Sequence, residues 1–567
     1  MTGAPGYDKL RGGYYTPLPV ADWLSSWAIR SPEDTVLEPS CGDGAFLKAA
    51  ANRLLQLGAG PDAVVSQLTG IEIDLSEAGK ALSQVKGIVG DAPGEPVQRG
   101  DFFEWALKNR GRRAICVLGN PPFIRYQNFP ESSRPLAMGL MSELGLRPNR
   151  LTNIWVPFVA VAAAHLAPGG RMAMVLPAEL LQVSYAAQLR TYLVDQFERI
   201  HIVTCNEMLF EGAEQEVVLF LGEKRSEGFS LGSKSRIDLH ELENAQDLLG
   251  IMPQQIVNRK REKMVNHDNE KWLKYFLNPR EIDLMRELRR SSQTATISRH
   301  GTVDVGVVTG RNEFFVLSME DVDRARVGSF VIPLVGRSSQ LRGALFTKEE
   351  WGVLAGRGGR VFLFYVNGIE RNELPKEIMS YIGLGEKLGY PKGYKCSVRS
   401  PWYAVPSVWA PDCFMFRQIY DFPRLVLNKA DVVSTDTIHR VRCNGSAELL
   451  VANTYTSLTA ASAEIEGRSY GGGVLELEPT EAERLLVPRV LRKGLPLTEI
   501  DRLVREGRLT SALRENDKLI LVRELGLSTG ECEVLRRIWR KMRNRRMNRK
   551  KAQRTSQPRE EEAPCTG

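Results

Sequence analysis

The sequence predicts an α/β protein that begins with a mostly parallel, helix-covered sheet and continues into a mixed α+β domain. Two observations support this fold class. Seven short apolar runs alternate with helical patterns between residue 35 and about residue 222, which is the rhythm of βαβ units. Beyond residue 236 the alternation stops, and helical segments mix with extended stretches rich in glycine and aromatic residues.

The apolar runs and the patterns between them predict the elements of the sheet. The seven strands are TVLEPS (35–40), QLTGIEID (67–74), PVQRGD (96–101), ICVLGN (115–120), RMAMVLPAE (171–179), RIHIVT (199–204) and EVVLFLGE (216–223). Helices are predicted near residues 44–57, 76–85, 152–167 and 179–197. We expect four segments: a sheet domain (1–222), a polar linker (223–236), a second domain (237–495) and a C-terminal helical segment (496–567).

Length and composition exclude several classes of protein. A chain of 567 residues exceeds one hydrophobic core, and no apolar run approaches the roughly 20 residues of a membrane span. The N-terminus lacks the apolar stretch of a secretory signal, which predicts a cytoplasmic protein. The eight cysteines form no C-x-x-C pair and there are only six histidines, so we expect reduced thiols and no metal site.

The positive charge is concentrated near the C-terminus. Eleven lysines and arginines, and no acid, lie between Arg536 and Arg554. Their positive charge exceeds the net charge of +8 of the whole chain, so the rest of the chain carries no net positive charge. A charge run of this kind is typical of a solvated, partly disordered end. If the run is used, it attracts phosphate.

The residues that follow the first three predicted strands suggest a nucleoside pocket, because ligands of open α/β sheets bind outside the carboxyl ends of the strands. Gly42 and Gly44 in EPSCGDGAF (38–46) allow a tight turn against a ligand. Glu72 is placed to accept the hydroxyls of a ribose, although an acid before a helix is an equally good interpretation of it alone. Asp101 and Phe102 suit the amine and the ring of an adenine.

The fourth strand ends in VLGNPPFIRYQ (117–127), which has two interpretations. Asn-Pro and Pro-Pro are common strand terminators, so a plain turn is one. The other is a site that grips a planar amine. In that site the Asn120 side chain and the Pro121 carbonyl accept its two hydrogens, Pro122 helps to stiffen the loop, and Phe123 is a stacking face.

Together these motifs resemble the S-adenosylmethionine-dependent adenine-N6 DNA methyltransferases in which cofactor motifs come first, the catalytic motif next and target recognition last. The segment GGYYTPLPVADWLSSWAI (12–29) resembles the family's opening motif, in which Thr-Pro starts a helix over the methionine end of the cofactor. Asn-Pro-Pro-Phe is similar to the catalytic tetrapeptide, and NEMLFEGAEQEVVLF (206–220) to a later substrate-side motif. The resemblance is specific over 12–222 and weaker through 300–490.

The resemblance implies a Rossmann-like class I methyltransferase domain with a seven-stranded sheet over 1–222 and a target-recognition domain over 237–495. It implies S-adenosylmethionine as cofactor, double-stranded DNA as partner, a nucleoid-associated cytoplasmic protein and a separate cognate restriction endonuclease. The implied catalytic residues are Asn120, Pro121, Pro122 and Phe123, with Phe123 and Phe210 stacking on the base. The implied cofactor residues are Thr16, Pro17, Glu38, Pro39, Ser40, Cys41, Gly42, Gly44, Glu72, Ile73, Asp101 and Phe102, and no metal is expected.

Two other functions compete with site-specific adenine-N6 methylation of DNA. The Asn-Pro-Pro-aromatic loop suits any planar nitrogen, so an RNA base or a protein glutamine is an alternative acceptor. The long C-terminal region favours DNA, because specific recognition of a duplex needs a large surface. A catalytically silent DNA-binding subunit is the second alternative. It would tolerate loss of the pocket residues, whereas all of them are present.

Overall fold

The computed structural model describes residues 15–124, 128, 130–147, 152–207, 209, 216–227, 235–257, 263–264 and 270–555. The chain divides into two compact units: Met1–Asn278 with Asn548–Gly567, and Pro279–Met547. Within the described residues, no helix has both the length and the apolar character needed to cross a membrane.

The first unit contains one large sheet and the helices that cover it. Its strands are β1 Val36–Glu38, β2 Leu68–Glu72, β3 Val97–Arg99, β4 Ala114–Gly119, β5 Leu166–Pro177, β6 Phe197–Cys205, β7 Val217–Lys224, β8 Arg236–Leu242 and β9 Lys263–Met264. Its helices are α1 Leu18–Ala28, α2 Ala45–Gln56, α3 Pro61–Gln67, α4 Leu75–Val89, α5 Phe102–Lys108, α6 Ser133–Glu143, α7 Trp155–Ala164, α8 Ala187–Gln196, α9 Ala245–Leu249 and α10 Pro253–Val257.

The strand order of the sheet is β3-β2-β1-β4-β5-β7-β6-β8-β9. Strands β1 to β5 pair in parallel, and β7 is inserted antiparallel between β5 and β6. The seven predicted strands are confirmed. The sheet is larger than the seven strands expected, however, because β8 and β9 extend it to nine strands in the described part of the chain.

The sheet is buried because helices cover both of its faces. Nearly every residue of β4 and β7 is buried, and so is the second half of β5. Helix α7 is buried from Trp155 to Ala163, so its sequence shows apolar residues on all sides rather than one stripe. Strands covered on both faces appear as continuous apolar runs, which is why the sequence located them.

The second unit contains four smaller sheets and many short helices. Its strands are β10 Thr294–Thr296, β11 Gly301–Asp304, β12 Val316–Leu317, β13 Val331–Val335, β14 Leu345–Phe346, β15 Phe362–Phe364, β16 Cys413–Phe416, β17 Gln418–Ile419, β18 Leu425–Asn428, β19 Val433–Ser434, β20 Ile438–Cys443, β21 Arg468–Tyr470, β22 Val474–Glu476 and β23 Leu486–Pro488. Its helices are α11 Pro279–Arg290, α12 Asn312–Phe315, α13 Met319–Ala325, α14 Lys348–Gly356, α15 Lys376–Lys387, α16 Tyr394–Ser397, α17 Ala447–Thr454, α18 Ser457–Glu466, α19 Pro479–Ala482, α20 Leu497–Arg505, α21 Leu509–Asn516 and α22 Thr529–Thr555, of which the residues up to Met547 belong to this unit, with a π-helical stretch at Asp517–Val522.

Two hydrophobic cores organise the second unit. One surrounds the five-stranded sheet β11-β20-β16-β18-β14, and the other surrounds the four-stranded sheet β12-β15-β13-β19. Leu497, Ile500, Leu513 and Trp539 belong to the first of these cores. The mixed α+β character predicted for the C-terminal region is confirmed.

The domain boundaries differ from those expected from the sequence. Strand β8 pairs in parallel with β6, so residues 237–242 belong to the first unit, which extends to Asn278. The polar stretch 223–236 therefore lies between two strands of one sheet. The sequence predicted a domain linker here because the composition of the stretch is typical of one. Residues 497–547 are part of the second unit rather than an appended helical segment.

The expectation of a solvated basic end is wrong for the first part of α22. Arg536 forms an ion pair with Asp517 at 2.7 Å and Arg546 one with Glu464 at 2.7 Å, and all four side chains are buried. Arg543 also bonds to Asp421. These cations are neutralised within the second unit because α22 packs against acidic side chains that the linear charge pattern does not reveal.

Candidate active site

A cavity of about 460 Å³ lies at the carboxyl ends of β1 to β4, a size typical of small-molecule sites. The structure brings twelve of the sequence-predicted site residues to its wall: Thr16, Glu38, Pro39, Ser40, Cys41, Gly42, Glu72, Ile73, Asp101, Phe102, Asn120 and Pro122. Pro17, Gly44, Pro121 and Phe123 lie next to these residues in the chain but do not line the cavity. Phe210 lies outside the described residues.

Gly42 and Gly44, which follow β1, are glycines for different structural reasons. Gly42 has φ +50° and Gly44 has φ +89°, a left-handed region that strongly favours glycine. A Cβ atom on Gly44 would lie 2.6 Å from the Cα atom of Ala81 in α4. Gly42 thus belongs to the cavity wall, whereas Gly44 allows the turn to pack against α4.

Glu72 is held in place by backbone amides at the end of β2. Its Oε2 accepts a hydrogen bond from Gly42 N and its Oε1 one from Asp74 N, each at 2.9 Å. Each carboxylate oxygen has two acceptor sites, so one bond per oxygen leaves acceptor capacity for ligand hydroxyls. The exposed side chain of Ile73 lies beside Glu72 at the cavity wall.

The cavity wall is strongly acidic. Six of its described residues are acids, namely Glu38, Asp43, Glu72, Asp74, Glu77 and Asp101, and none is lysine or arginine. Burial, followed by the charges of Asp43 and Glu72, raises the pKa of Glu38 well above its usual value. Burial is also the main cause of the raised pKa of Glu72 and of Asp43.

An acidic, partly buried wall fits a ligand that carries positive charge and hydroxyl groups. The Oε2 atom of Glu38 is buried without a hydrogen-bond partner among the described residues, and a buried carboxylate is stable only when it is compensated. S-adenosylmethionine carries a sulfonium, an ammonium and two ribose hydroxyls, so the residues present fit this cofactor.

Asp101 caps the helix that follows β3. Its Oδ1 accepts hydrogen bonds from Phe103 N at 2.7 Å and Glu104 N at 3.1 Å, and its Oδ2 accepts one from the hydroxyl of Ser133. The predicted contact with an adenine amine therefore has to use a remaining lone pair of this carboxylate. The adjacent ring of Phe102 is buried and stacks on Phe158, with the centroids 5.3 Å apart.

Hydrogen bonds to neighbouring segments brace the loop after β4. Asn120 Nδ2 donates to Thr16 Oγ1 at 3.3 Å, and Ser40 Oγ donates to the Asn120 carbonyl at 3.4 Å. The amide of Ile154 donates to the Ile124 carbonyl at 3.0 Å. The bond to Thr16 fixes the plane of the Asn120 side-chain amide at the cavity wall.

Phe123 is packed within this loop, with only 8% of its surface exposed. A ring that stacks on a flat ligand needs one uncovered face. The stacking role predicted for Phe123 therefore requires a change of its surroundings when a base arrives.

The sequence did not single out several residues of the cavity wall. Tyr15 donates a hydrogen bond from its hydroxyl to Glu77 at 3.0 Å, and Ser133 and Phe158 approach from α6 and α7. Tyr15 adjoins the Thr-Pro pair of the opening motif, and that position is the signal by which it could have been found. Ser133 and Phe158 come from helices that carry no distinctive motif.

A buried group of side chains on β6 and β8 brings together His201, Asp238 and His240. Their potential ligand atoms lie within 4.8 Å of one another, and His201 Nδ1 is 3.4 Å from His240 Nε2. A hydrogen-bonded network of buried side chains has such distances too. These residues lie apart in the sequence, at spacings not typical of metal ligands, and the expectation that no metal binds stays a prediction.

The sheet order and the cavity define a class I methyltransferase that uses S-adenosylmethionine. Residues 3–300, more than half of the 567 residues, match the family model described as N-6 DNA Methylase. The chain belongs to this family and is therefore a DNA methyltransferase. Residues 269–521 match the model described as Type II methyltransferase M.Eco57I, C-terminal domain.

Two curated relatives match most of the chain. The Type II methyltransferase M.AccI of Acinetobacter calcoaceticus is 22% identical over 493 residues, which cover 83% of this chain and 84% of the relative. The Type II methyltransferase M.XamI of Xanthomonas campestris pv. amaranthicola is also 22% identical over 493 residues, covering 84% and 85%.

Among solved structures, the Type IIL restriction-modification enzyme MmeI in complex with DNA is similar with a TM-score of 0.53 and 12% identity. The match covers 93% of this chain and 75% of that one. The Type ISP restriction-modification enzyme LlaGI is similar with a TM-score of 0.51 and 12% identity, covering 88% and 47%. These similarities show a shared fold that spans both units.

Proposed function

We propose that this protein is a site-specific DNA methyltransferase that methylates the exocyclic amine, N6, of an adenine rotated out of the duplex. The observation that carries the proposal is the position of Asn120. This residue directly follows β4 at the wall of the acidic cavity, and its side-chain amide is oriented by Thr16. The residue that would accept a hydrogen bond from the amine therefore lies at the wall of the cofactor cavity.

The chemistry requires acceptors rather than a general base. The lone pair of the adenine amine is delocalised into the ring, so the nitrogen is a poor nucleophile. Acceptance of its two hydrogens by Asn120 Oδ1 and the Pro121 carbonyl localises the lone pair and aims it. Bound S-adenosylmethionine supplies an electrophilic methyl group.

The bracing of the loop has a catalytic purpose in this proposal. Acceptors that are fixed before the substrate arrives need no reorganisation during the reaction. The prolines at 121 and 122 restrict the backbone, and the bond between Ile154 and Ile124 ties the loop to the start of α7. Rotation of the nucleotide out of the duplex costs a few kcal/mol. Stacking on Phe123, after the change of surroundings that uncovers its ring, returns roughly 1–3 kcal/mol.

We propose further that the second unit, Pro279–Met547, recognises the target sequence, and that the enzyme acts in the cytoplasm at the nucleoid. The relatives M.AccI and M.XamI are Type II methyltransferases, and the similar fold of MmeI was determined in complex with DNA. These similarities support a role in restriction–modification. We propose a separate cognate endonuclease as partner.

The test is the Asn120→Ala variant in a purified methyl-transfer assay. Loss of one preorganised group predicts a rate roughly 100- to 1000-fold lower, with the dissociation constant for S-adenosylmethionine, measured by calorimetry, nearly unchanged. The exposed Asn372 provides the matched control Asn372→Ala, which should keep the parental rate. An Asn120→Ala enzyme that transfers at the parental rate would refute the assigned role.

The acceptor is identified with the parental enzyme. Duplex DNA, RNA and a protein extract are each incubated with labelled S-adenosylmethionine, and the modified residue is identified by mass spectrometry. N6-methyladenine in the duplex is the expected product. Label confined to RNA or to glutamine would instead support one of the competing functions.

A further inference from the structure

One surface of the second unit combines exposed aromatic rings with exposed cations. We call it the aromatic–basic face and define it by Arg311, Lys392, Tyr394, Lys395, Trp409 and Arg442. Tyr394 has 77% of its surface exposed. The four cations are exposed, and Trp409 is half-buried.

A single segment, 305–311, connects the two halves of this face. Arg440 donates a hydrogen bond to the Val305 carbonyl at 3.0 Å and another to the Ser407 carbonyl at 2.5 Å. Arg399 donates to the carbonyls of Val308 at 2.6 Å and Thr309 at 2.8 Å. The loop that carries Trp409 and the helix that carries Tyr394 are thus attached to the same backbone segment.

The half that carries α16 also lies in close contact with this segment. A Cβ atom on Gly310, which has φ +81°, would lie 2.8 Å from the Cβ atom of Lys395. The guanidinium of Arg311 lies 5.7 Å from the centre of the Tyr390 ring. These contacts hold α16 against the same backbone segment to which Arg440 ties the loop at 406–410.

Trp409 is preordered by two arginines from β20. The guanidinium carbon of Arg440 lies 4.2 Å from the ring centroid and that of Arg442 lies 4.5 Å from it, both within cation–π range. Arg440 is buried, whereas Arg442 is exposed. Ser407 has φ +56°, a strained conformation that persists when neighbours enforce it, and here Arg440 bonds to its carbonyl and hydroxyl.

The cations of this face are not paired with acids within the part of the chain that the structure describes. No ion pair of Arg311, Lys392, Lys395 or Arg442 occurs among the residues that the structure describes, in contrast to Arg536, Arg543 and Arg546 of α22. Exposed cations that are not compensated by acids attract a polyanion. Preordered rings beside them add flat contact area at little entropic cost.

We propose that the aromatic–basic face docks duplex DNA, with Arg311, Lys395 and Arg442 on phosphates and the rings of Tyr394 and Trp409 against the sugars and base edges. This inference rests on the proposed function. Phosphate contacts set position and register rather than sequence. The face therefore holds the duplex while other residues of the chain select the site.

The experiment compares the full-length protein with a triple variant, Arg311→Gln with Lys395→Gln and Arg442→Gln. Binding of a fluorescein-labelled duplex is measured by anisotropy between 50 and 400 mM salt. Each neutralised phosphate contributes about −0.9 to the slope of log K against log salt. Loss of three contacts therefore makes the slope less negative by about 2.7 and lowers the affinity at 0.1 M salt by roughly 500-fold. An unchanged slope would overturn the inference.

The matched control removes the same charge elsewhere in the second unit. Lys348, Arg357 and Lys493 are exposed, and the triple variant with glutamine at these positions should keep the parental slope. An equal loss in the control would mean that net charge alone binds DNA, which overturns the inference. Tyr394→Ala is a milder variant for the case of poor folding, and it should weaken binding several-fold at an unchanged slope. Parental affinity in Tyr394→Ala would count against the inference.

Two further measurements separate this inference from the proposed function. If the parental protein methylates duplex DNA while the triple variant keeps its affinity, the inference fails and the proposed function stands. If the parental protein methylates no DNA, the proposed function is refuted, and with it the basis of this inference. Polyglutamate is added as a competitor at equal charge. Displacement of the duplex as efficient as that by unlabelled duplex would point to an acidic protein partner and overturn the assignment to DNA.

Discussion

Replacing Arg546 with methionine should destabilise the second unit by about 3–5 kcal/mol, the cost of leaving one partner of a buried ion pair alone. Arg546 and Glu464 are 2% and 3% exposed. Their two bonds, Nη2–Oε1 at 2.7 Å and Nε–Oε2 at 3.0 Å, are bidentate. Arg546 also donates to the Gly473 carbonyl at 2.6 Å, so its loss leaves a buried carboxylate and a buried carbonyl uncompensated.

The destabilisation should depend on pH. Burial raises the pKa of Glu464, and Arg546 opposes that rise. Without Arg546 the pKa in the folded state rises further above the unfolded value of about 4.3. A carboxyl whose pKa is raised on folding costs no stability below its unfolded pKa, and its cost grows as the pH rises through the folded pKa. The deficit of Arg546→Met should therefore be smaller at pH 5 than at pH 8.

Unfolding in urea is monitored by the hydrogen–deuterium exchange of peptides from α18 and α22. Peptides of the first unit serve as an internal reference. The control is the double variant Glu464→Leu with Arg546→Leu. It removes both charges, and replacements of this type are often neutral or stabilising. A deficit below about 1 kcal/mol for Arg546→Met, or one that does not change between pH 5 and pH 8, would refute the reasoning.

Two further predictions concern the cavity. Gly44→Ala should weaken S-adenosylmethionine binding in calorimetry at least tenfold, because its Cβ atom would lie 2.6 Å from the Ala81 backbone, whereas Gly58→Ala, with φ +103° and no atom within 4 Å, should not. Thr16→Val removes the acceptor of the Asn120 amide and should lower the single-turnover rate roughly 2- to 13-fold, the value of one hydrogen bond, whereas Thr16→Ser should retain the rate. Equal effects of the two variants in either pair would contradict these predictions.

Much of the first unit was predictable because it depends on local patterns. Strands that are buried on both faces must be apolar along their length, so runs such as ICVLGN mark β4 without knowledge of its neighbours. The end of each parallel strand falls at the same edge of the sheet. Glu72, Asp101 and Asn120 could therefore be expected around one cavity before any distance was known.

Other features were not predictable, because they depend on pairings between residues that are distant in the chain. The stretch 223–236 has the composition of a linker, and only the pairing of β8 with β6 shows that it lies within one sheet. The hydrogen bond between Asp101 and Ser133 could not be recognised, because Ser133 comes from a helix 32 residues further on. The roles assigned to the individual site residues stay predictions.

The sequence alone determined the class of fold, the order of the strands along the chain and the residue types at the cavity edge, because burial and strand ends leave local patterns in the chain. Only the tertiary structure decided where the first unit ends and what the basic C-terminal helix does. A cluster of arginines has the same charge whether it faces water or a buried glutamate such as Glu464. The difference arises from the packing of α22 against acids that lie far away in the sequence.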